Sequence, residues 1–334
     1  MTSFWLDAHL DLACLALLGR DMSAHFEHAT GHPQPAALTL HSLDQANVRV
    51  CIASLFSAPN AKAPYGYDAA QPTQSFEEGR KQLQIYQQWA RQGLCSLIKN
   101  SADLMSSRTP LNVLLSFEGA DPIRTPEEVA WWFAQGVRLV GLSWKLGTQY
   151  AGGNQTQVGL MPAAFALLEA LERHGMIHDL SHLSEIAFNE LLANTKGPVV
   201  ASHSNSRRLL QSDDPRHLSD AQIKAIRRRE GMIGVNLLNQ FLHPQGLKVR
   251  AHIDDVVDHI EYLCRVMQSR KYIGLGSDID GGYGAQFLPV GIRSHADLEL
   301  LCETLNARGW TDSEIQDFRA DNWLRFLQHH LPQT

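Results

Sequence analysis

Short apolar runs, each closed by polar or glycine positions, recur eight times along the chain: residues 4–7, 49–56, 112–117, 138–142, 176–180, 198–201, 232–237 and 272–276. Their length and β-branched content predict strands, because four to eight such residues between breakers fit a pleated segment better than a helix. Between most of them the apolar spacing changes to three or four residues, which predicts helices over 76–92, 126–134, 162–174, 185–194, 220–229 and 253–269. Helix starts carry their expected punctuation. Thr125 precedes Pro126, Glu127 and Glu128, and Ser219 with Asp220 opens another helix. Strand and helix in alternation imply parallel βαβ units. Eight of them predict an α/β fold closed as a (β/α)8 TIM-type barrel, with its active site at the C-terminal ends of the strands.

Two stretches break the alternation. Residues 21–43 hold His, Pro and Gly without a period, and 55–73 are rich in Ala, Pro and Gly. They read as loop insertions at about 20–45 and 57–74 in one domain covering 1–334, and loops of that length often serve as lids or binding segments. No repeat or linker divides the chain.

Composition mainly excludes. At 44% apolar and 19% charged residues the chain falls in the ordinary globular range, away from disordered or fibrous proteins. A net charge of -6 without a Lys/Arg stripe gives no footprint for a polyanion, so nucleic acid is not an expected partner. The five cysteines are an odd number with no CxxC pair, which predicts reduced, buried thiols. No apolar run is long enough to span a membrane, and Asp7, His9 and Asp11 interrupt the first one. A cytoplasmic location without a membrane partner is the expectation.

Metal-ligating residue types fall at the ends of the predicted strands. His9 and Asp11 follow the first, Glu118 ends the third, His182 the fifth, His203 the sixth, and Asp278 the eighth. A barrel gathers those ends on one face, so residues spread over most of the chain would meet there. His9 and Asp11 share strand parity and can reach one ion. Imidazole nitrogen with carboxylate oxygen suits zinc or a similar divalent metal, whereas calcium would want oxygen alone. His182 and His203 can hold a second ion, with Glu118 bridging. Such a pair would bind a hydroxide between the ions and polarise a carbonyl. Singly, each residue has a plainer reading: a chance HxD, an exposed strand-end acid, a hydrogen-bonded core histidine. Their common placement is what a core does not explain. His25, His28, His32, His329 and His330 read as solvated loop or tail residues, and His178 as a packed one.

These motifs resemble the renal dipeptidase family, also called membrane dipeptidases, which are (β/α)8 metallohydrolases of the amidohydrolase type. The matching segments are the HxD near the start, Ser-Phe-Glu-Gly-Ala at 116–120, Gly-Met-Ile-His-Asp-Leu-Ser-His-Leu-Ser at 175–184, Pro-Val-Val-Ala-Ser-His-Ser at 198–204 and Gly-Leu-Gly-Ser-Asp-Ile-Asp-Gly at 274–281. The resemblance implies two zinc ions per chain, one on His9 and Asp11, one on His182 and His203, with Glu118 bridging. It also implies that Asp278 handles the proton, that Arg216 holds the substrate's carboxylate, and that the protein forms a homodimer. One motif departs. The family usually reads Leu-Thr-His where this chain reads Leu-Ser-Trp at 142–144. Trp144 replaces a substrate-contacting histidine and offers one N–H and no charge. Either Lys145 or Tyr150 supplies the missing donor, or the substrate is not an ordinary dipeptide. The expected function is a dinuclear zinc dipeptidase acting on small dipeptides. The alternatives are a metal-dependent hydrolase of another small amide, an N-acyl amino acid or a lactone, and a metal-binding barrel without catalysis.

Overall fold

The computed structural model describes residues 3–104, 110–246 and 248–333. One parallel sheet contains β1 (Trp5–Leu10), β2 (Val48–Phe56), β3 (Ser96–Leu97), β4 (Asn112–Glu118), β5 (Val137–Gly141), β6 (Ile177–Asp179), β7 (Val199–Ala201), β8 (Met232–Val235) and β9 (Ile273–Leu275). Eight strands follow one another in the order β1-β2-β4-β5-β6-β7-β8-β9, and the two-residue β3 pairs beside β4. Each apolar run read from the sequence lies on one of those eight. Helices Ser75–Arg91, Val129–Gln135, Pro162–Arg173, Glu185–Asn194, Asp220–Arg228 and Ile253–Met267 cross over between successive strands. The result is a nearly closed (β/α)8 barrel.

Side-chain parity divides the strands into two layers. Leu6, Val50, Ile52, Leu114, Leu139 and Ile177 cluster inside the barrel, where Trp323, Phe326 and Leu327 of the last helix, Asn322–His330, pack against them. Alternate residues such as Cys51, Ala53, Val113 and Leu115 pack outward onto Leu83 and other helix side chains. Further along the same inward columns the residues turn polar: Ser54 follows Ile52, Glu118 follows Leu114 and Ser116, and Asp179 follows Ile177. The apolar end is therefore sealed by the last helix, and the polar end holds the chemistry.

The seam between β9 and β1 is made differently from the other junctions. Among the described residues no strand ladder joins them. The Asp278 N–H donates to the His9 carbonyl at 3.2 Å, and the buried Asp7 carboxylate accepts the Ser277 N–H at 2.9 Å, the Ser277 hydroxyl, and His295 Nε2 at 2.7 Å. These polar partners explain why β1 runs to Leu10, past the expected end at residue 7. Asp7 and His9 broke the apolar pattern, yet both are buried within the strand.

Candidate active site

His9 lies near the end of β1 and Asp11 just beyond it, while Glu118 is the last residue of β4. His182 lies three residues past β6, His203 two past β7 and Asp278 three past β9. All six are buried. The two Glu118 oxygens face opposite ways. Oε2 is 3.5 Å from His9 Nε2, whereas Oε1 is 3.0 Å from His182 Nε2 and 3.6 Å from His203 Nε2. His9 Nε2 also lies 3.9 Å from Asp11 Oδ1, and the two Nε2 atoms of His182 and His203 are 2.9 Å apart. Ligand atoms of His9, Glu118 and His203 all fall within 4.8 Å of one another, and so do those of His9, Asp11 and Asp278. The five proposed ligands and Asp278 thus form one continuous cluster.

Neighbouring residues fix how these groups point. Asn154 Oδ1 is 3.1 Å from His182 Nδ1, and the Ser202 hydroxyl oxygen is 2.7 Å from His203 Nδ1. Each imidazole therefore uses Nδ1 in a hydrogen bond and turns Nε2 into the cluster. The Ser54 hydroxyl donates to Asp11, and Asn236 Nδ2 donates to Asp278 Oδ2 at 2.9 Å. His182 and Asp278 hold φ of 64° and 57°, the left-handed region that non-glycine residues adopt rarely and often at functional sites.

Electrostatics give the cluster a deficit of positive charge. Burial pushes Asp278 up to about 8, with Asp11 and Glu118 adding to the shift against His9 and Arg216. Burial also raises Asp11 to about 6, Glu118 contributing. Burial alone would lower His9, but Glu118, Asp11 and Asp278 together hold it at about 10. Burial keeps His182 near 4 and His203 well below the usual imidazole value, so both are neutral at pH 7. Two neutral imidazoles and crowded carboxylates, with His9 giving up its proton on binding, form a donor set suited to a borderline divalent cation such as zinc.

A cavity of about 820 Å³ opens over the cluster. One wall is aromatic and aliphatic: Phe56 lies 5.1 Å from both Tyr65 and Trp144, centroid to centroid, with Leu18 alongside. Trp144 is half-buried, lines the cavity and approaches His182 at 6.3 Å, and Lys145 Nζ sits 4.2 Å over its ring. Arg216 stands on the wall as well, buried, donating to the His203 carbonyl at 2.8 Å and Ser204 Oγ at 3.2 Å. Its Nε has no partner among the described residues. Tyr150 is not brought to this cavity. It is buried with its hydroxyl donating to the Ile123 carbonyl, so of the two suggested replacement donors Lys145 alone reaches the site. His178 faces outward, its Nε2 3.6 Å from Glu172 on the crossover helix. Its shared parity with His182 is lost because β6 ends at Asp179 and the chain turns. Asn154, Asn236 and Ser54 had no signal in the sequence, since a neutral polar residue in a loop or strand gains meaning only from its neighbour in space.

The sequence profile described as membrane dipeptidase (peptidase family M19) matches residues 2–331. An uncharacterized protein in the pqqA 5' region of Klebsiella pneumoniae is 33% identical over 206 residues, 59% of this chain and 73% of that protein. An uncharacterized dipeptidase of Schizosaccharomyces pombe is 29% identical over 65% of this chain and 53% of its own length. The chain thus spans about half of that yeast relative. Among solved structures, a metallo peptidase from Rhodobacter sphaeroides liganded with a phosphinate mimic of the dipeptide L-Ala-D-Ala superposes with a TM-score of 0.83 at 22% identity, covering 99% of this chain and all of that one. The probable dipeptidase PvdM from Pseudomonas aeruginosa gives 0.84 at 18% identity over 99% of this chain and 96% of its own.

Proposed function

The chain belongs to the membrane dipeptidase family, and from that membership we propose that it is a dinuclear zinc dipeptidase of one barrel domain acting on small dipeptides. The observation that carries this reading is Glu118, with one oxygen toward His9 and the other toward His182 and His203. His9 and Asp11 would hold one ion, His182 and His203 the other, and Glu118 would reach both. Two such ions, when bound, supply a water deprotonated near neutral pH and an electrophile for the scissile carbonyl.

The remaining steps fall to the chain's own side chains. Asp278, buried beside the cluster and held by Asn236, is suited to take a proton from the attacking water and pass it to the nitrogen of the leaving amine. Arg216, whose buried guanidinium donates to the Ser204 hydroxyl and the His203 carbonyl and forms no ion pair among the described residues, is suited to pair bidentately with the substrate's own carboxylate. The wall of Phe56, Tyr65 and Trp144 would cover an apolar side chain and exclude water. Five buried, unpaired cysteines fit a reducing compartment, and we place the protein in the cytoplasm.

A panel of dipeptides, including ones with a C-terminal D-residue, their C-terminal amides, N-acyl amino acids and lactones tests the assignment. Dipeptides with a free carboxylate should be hydrolysed, and amidation or Arg216→Met should each cost about 10- to 100-fold in kcat/KM, the worth of one charge-assisted contact. Turnover of lactones or N-acyl amino acids without any turnover of dipeptides would favour the second reading, which the tryptophan at 144 motivates.

A further inference from the structure

Both histidine-bearing strand ends hang on one carboxylate outside the ligand cluster. Asp179, the last residue of β6, is buried. Its Oδ1 accepts the Ser181 N–H and the Ser202 N–H, each at 3.0 Å, and its other oxygen accepts the Ser202 hydroxyl. Ser181 directly precedes His182, and Ser202 directly precedes His203.

Ser202 Oγ is also 2.7 Å from His203 Nδ1. A serine has one proton to give. That proton goes to the carboxylate, the stronger acceptor, so Nδ1 must be the donor across the 2.7 Å contact. The imidazole then carries its proton on Nδ1 and a bare lone pair on Nε2, the nitrogen 3.6 Å from Glu118. The Ser202 peptide has no room to shift: a Cβ on Gly234 or Gly276 would fall 1.9 or 1.8 Å from its carbonyl oxygen. The seam repeats the device. Asp7 takes the N–H and hydroxyl of Ser277, and Ser277 directly precedes Asp278.

We propose that Asp179 and Ser202 are positioning residues that lock His203 in the tautomer able to ligate a divalent cation, so that one ion depends on them and the other does not. The inference rests on His203 being a ligand. Ser202→Ala removes the hydroxyl but leaves both backbone bonds to Asp179, and Ser202→Thr restores it. Zinc affinities measured by chelator competition, beside the melting temperature of the metal-free protein, separate positioning from folding. Ser202→Ala should lose about 10- to 100-fold in affinity for one zinc while keeping the other. Its metal-free melting temperature should match the wild type, and Ser202→Thr should keep both ions. Affinities in Ser202→Ala within about twofold of wild type would overturn the proposal, given the tenfold or larger effect expected of such partners. Equal losses at both ions with a lower melting temperature would overturn it too. If the wild type itself fails to bind two zinc ions, the site assignment falls and the clamp with it, whereas two equally tight ions in wild type and Ser202→Ala sink the clamp alone.

Discussion

Asp278 combines three features that suit a proton carrier: burial beside the other carboxylates, a left-handed backbone that aims it into the cluster, and a neutral donor, Asn236. Asp278→Asn keeps the shape and removes the basic oxygen. Turnover should fall by about two to four powers of ten, the usual worth of a positioned acid or base, while metal content stays at the wild-type level. Nearly unchanged kcat would move the proton transfer elsewhere. Trp144 makes the opposite kind of contribution, area without charge. Trp144→His should raise activity on polar dipeptides relative to apolar ones, shifting relative kcat/KM by about 1–3 kcal/mol, as one altered pocket contact does. The same substrate ranking in both proteins would reduce Trp144 to packing. At this scale the residues of the cluster were legible because acids and histidines at strand ends have few structural uses. Tyr150 was misplaced, since a phenol in a loop reads equally as a substrate donor or as what it is here, a buried ring tied to a carbonyl.

The strands were legible for a related reason: buried on both faces, they are short, nearly unbroken apolar runs. Elements lacking such contrast escaped. Leu12–Leu17 reads Leu-Ala-Cys-Leu-Ala-Leu with no polar face to set a period, and Ser96–Leu97 is too short to carry one. The last helix is a different case, because Trp323, Phe326 and Leu327 stand at i, i+3 and i+4, yet His329 and His330 gave it the look of a polar tail. That helix seals the barrel floor, with Trp323 Nε1 donating to the Leu275 carbonyl at 3.2 Å. Trp323→Ala should cost about 3–5 kcal/mol of stability in denaturant unfolding, the range for emptying a large buried ring site. Because the floor lies at the far end from the ligand cluster, kcat of the folded protein should hold. A loss below about 1 kcal/mol would mean that the floor collapses onto the gap, or that the plug bears little of the fold.

Over the whole molecule the barrel brings together groups as distant in sequence as His9 and Asp278, and a separate buried pair anchors the first insertion to the same face. Arg20 Nη1 meets Asp280, two residues past Asp278, at 2.5 Å, and Asp280 accepts the Ala37 and Leu38 N–H groups at 2.9 Å. The insertion is thereby fixed beside the cavity, and Leu18, just ahead of it, contributes to the wall. No helix among the described residues is long and apolar enough to cross a membrane. Order of elements carried this architecture in the sequence, but the seam did not show there, because Asp7 and Ser277 acquire their partnership only when the barrel closes. The claim that one Glu118-centred cluster holds two ions and that both serve dipeptide hydrolysis is tested most directly by titrating zinc into chelator-stripped protein while following hydrolysis of a dipeptide. The account predicts no turnover in the stripped protein and activity that reaches its plateau only at about two equivalents per chain, as a two-metal site requires. Full turnover without metal, or a plateau at one equivalent, would contradict it.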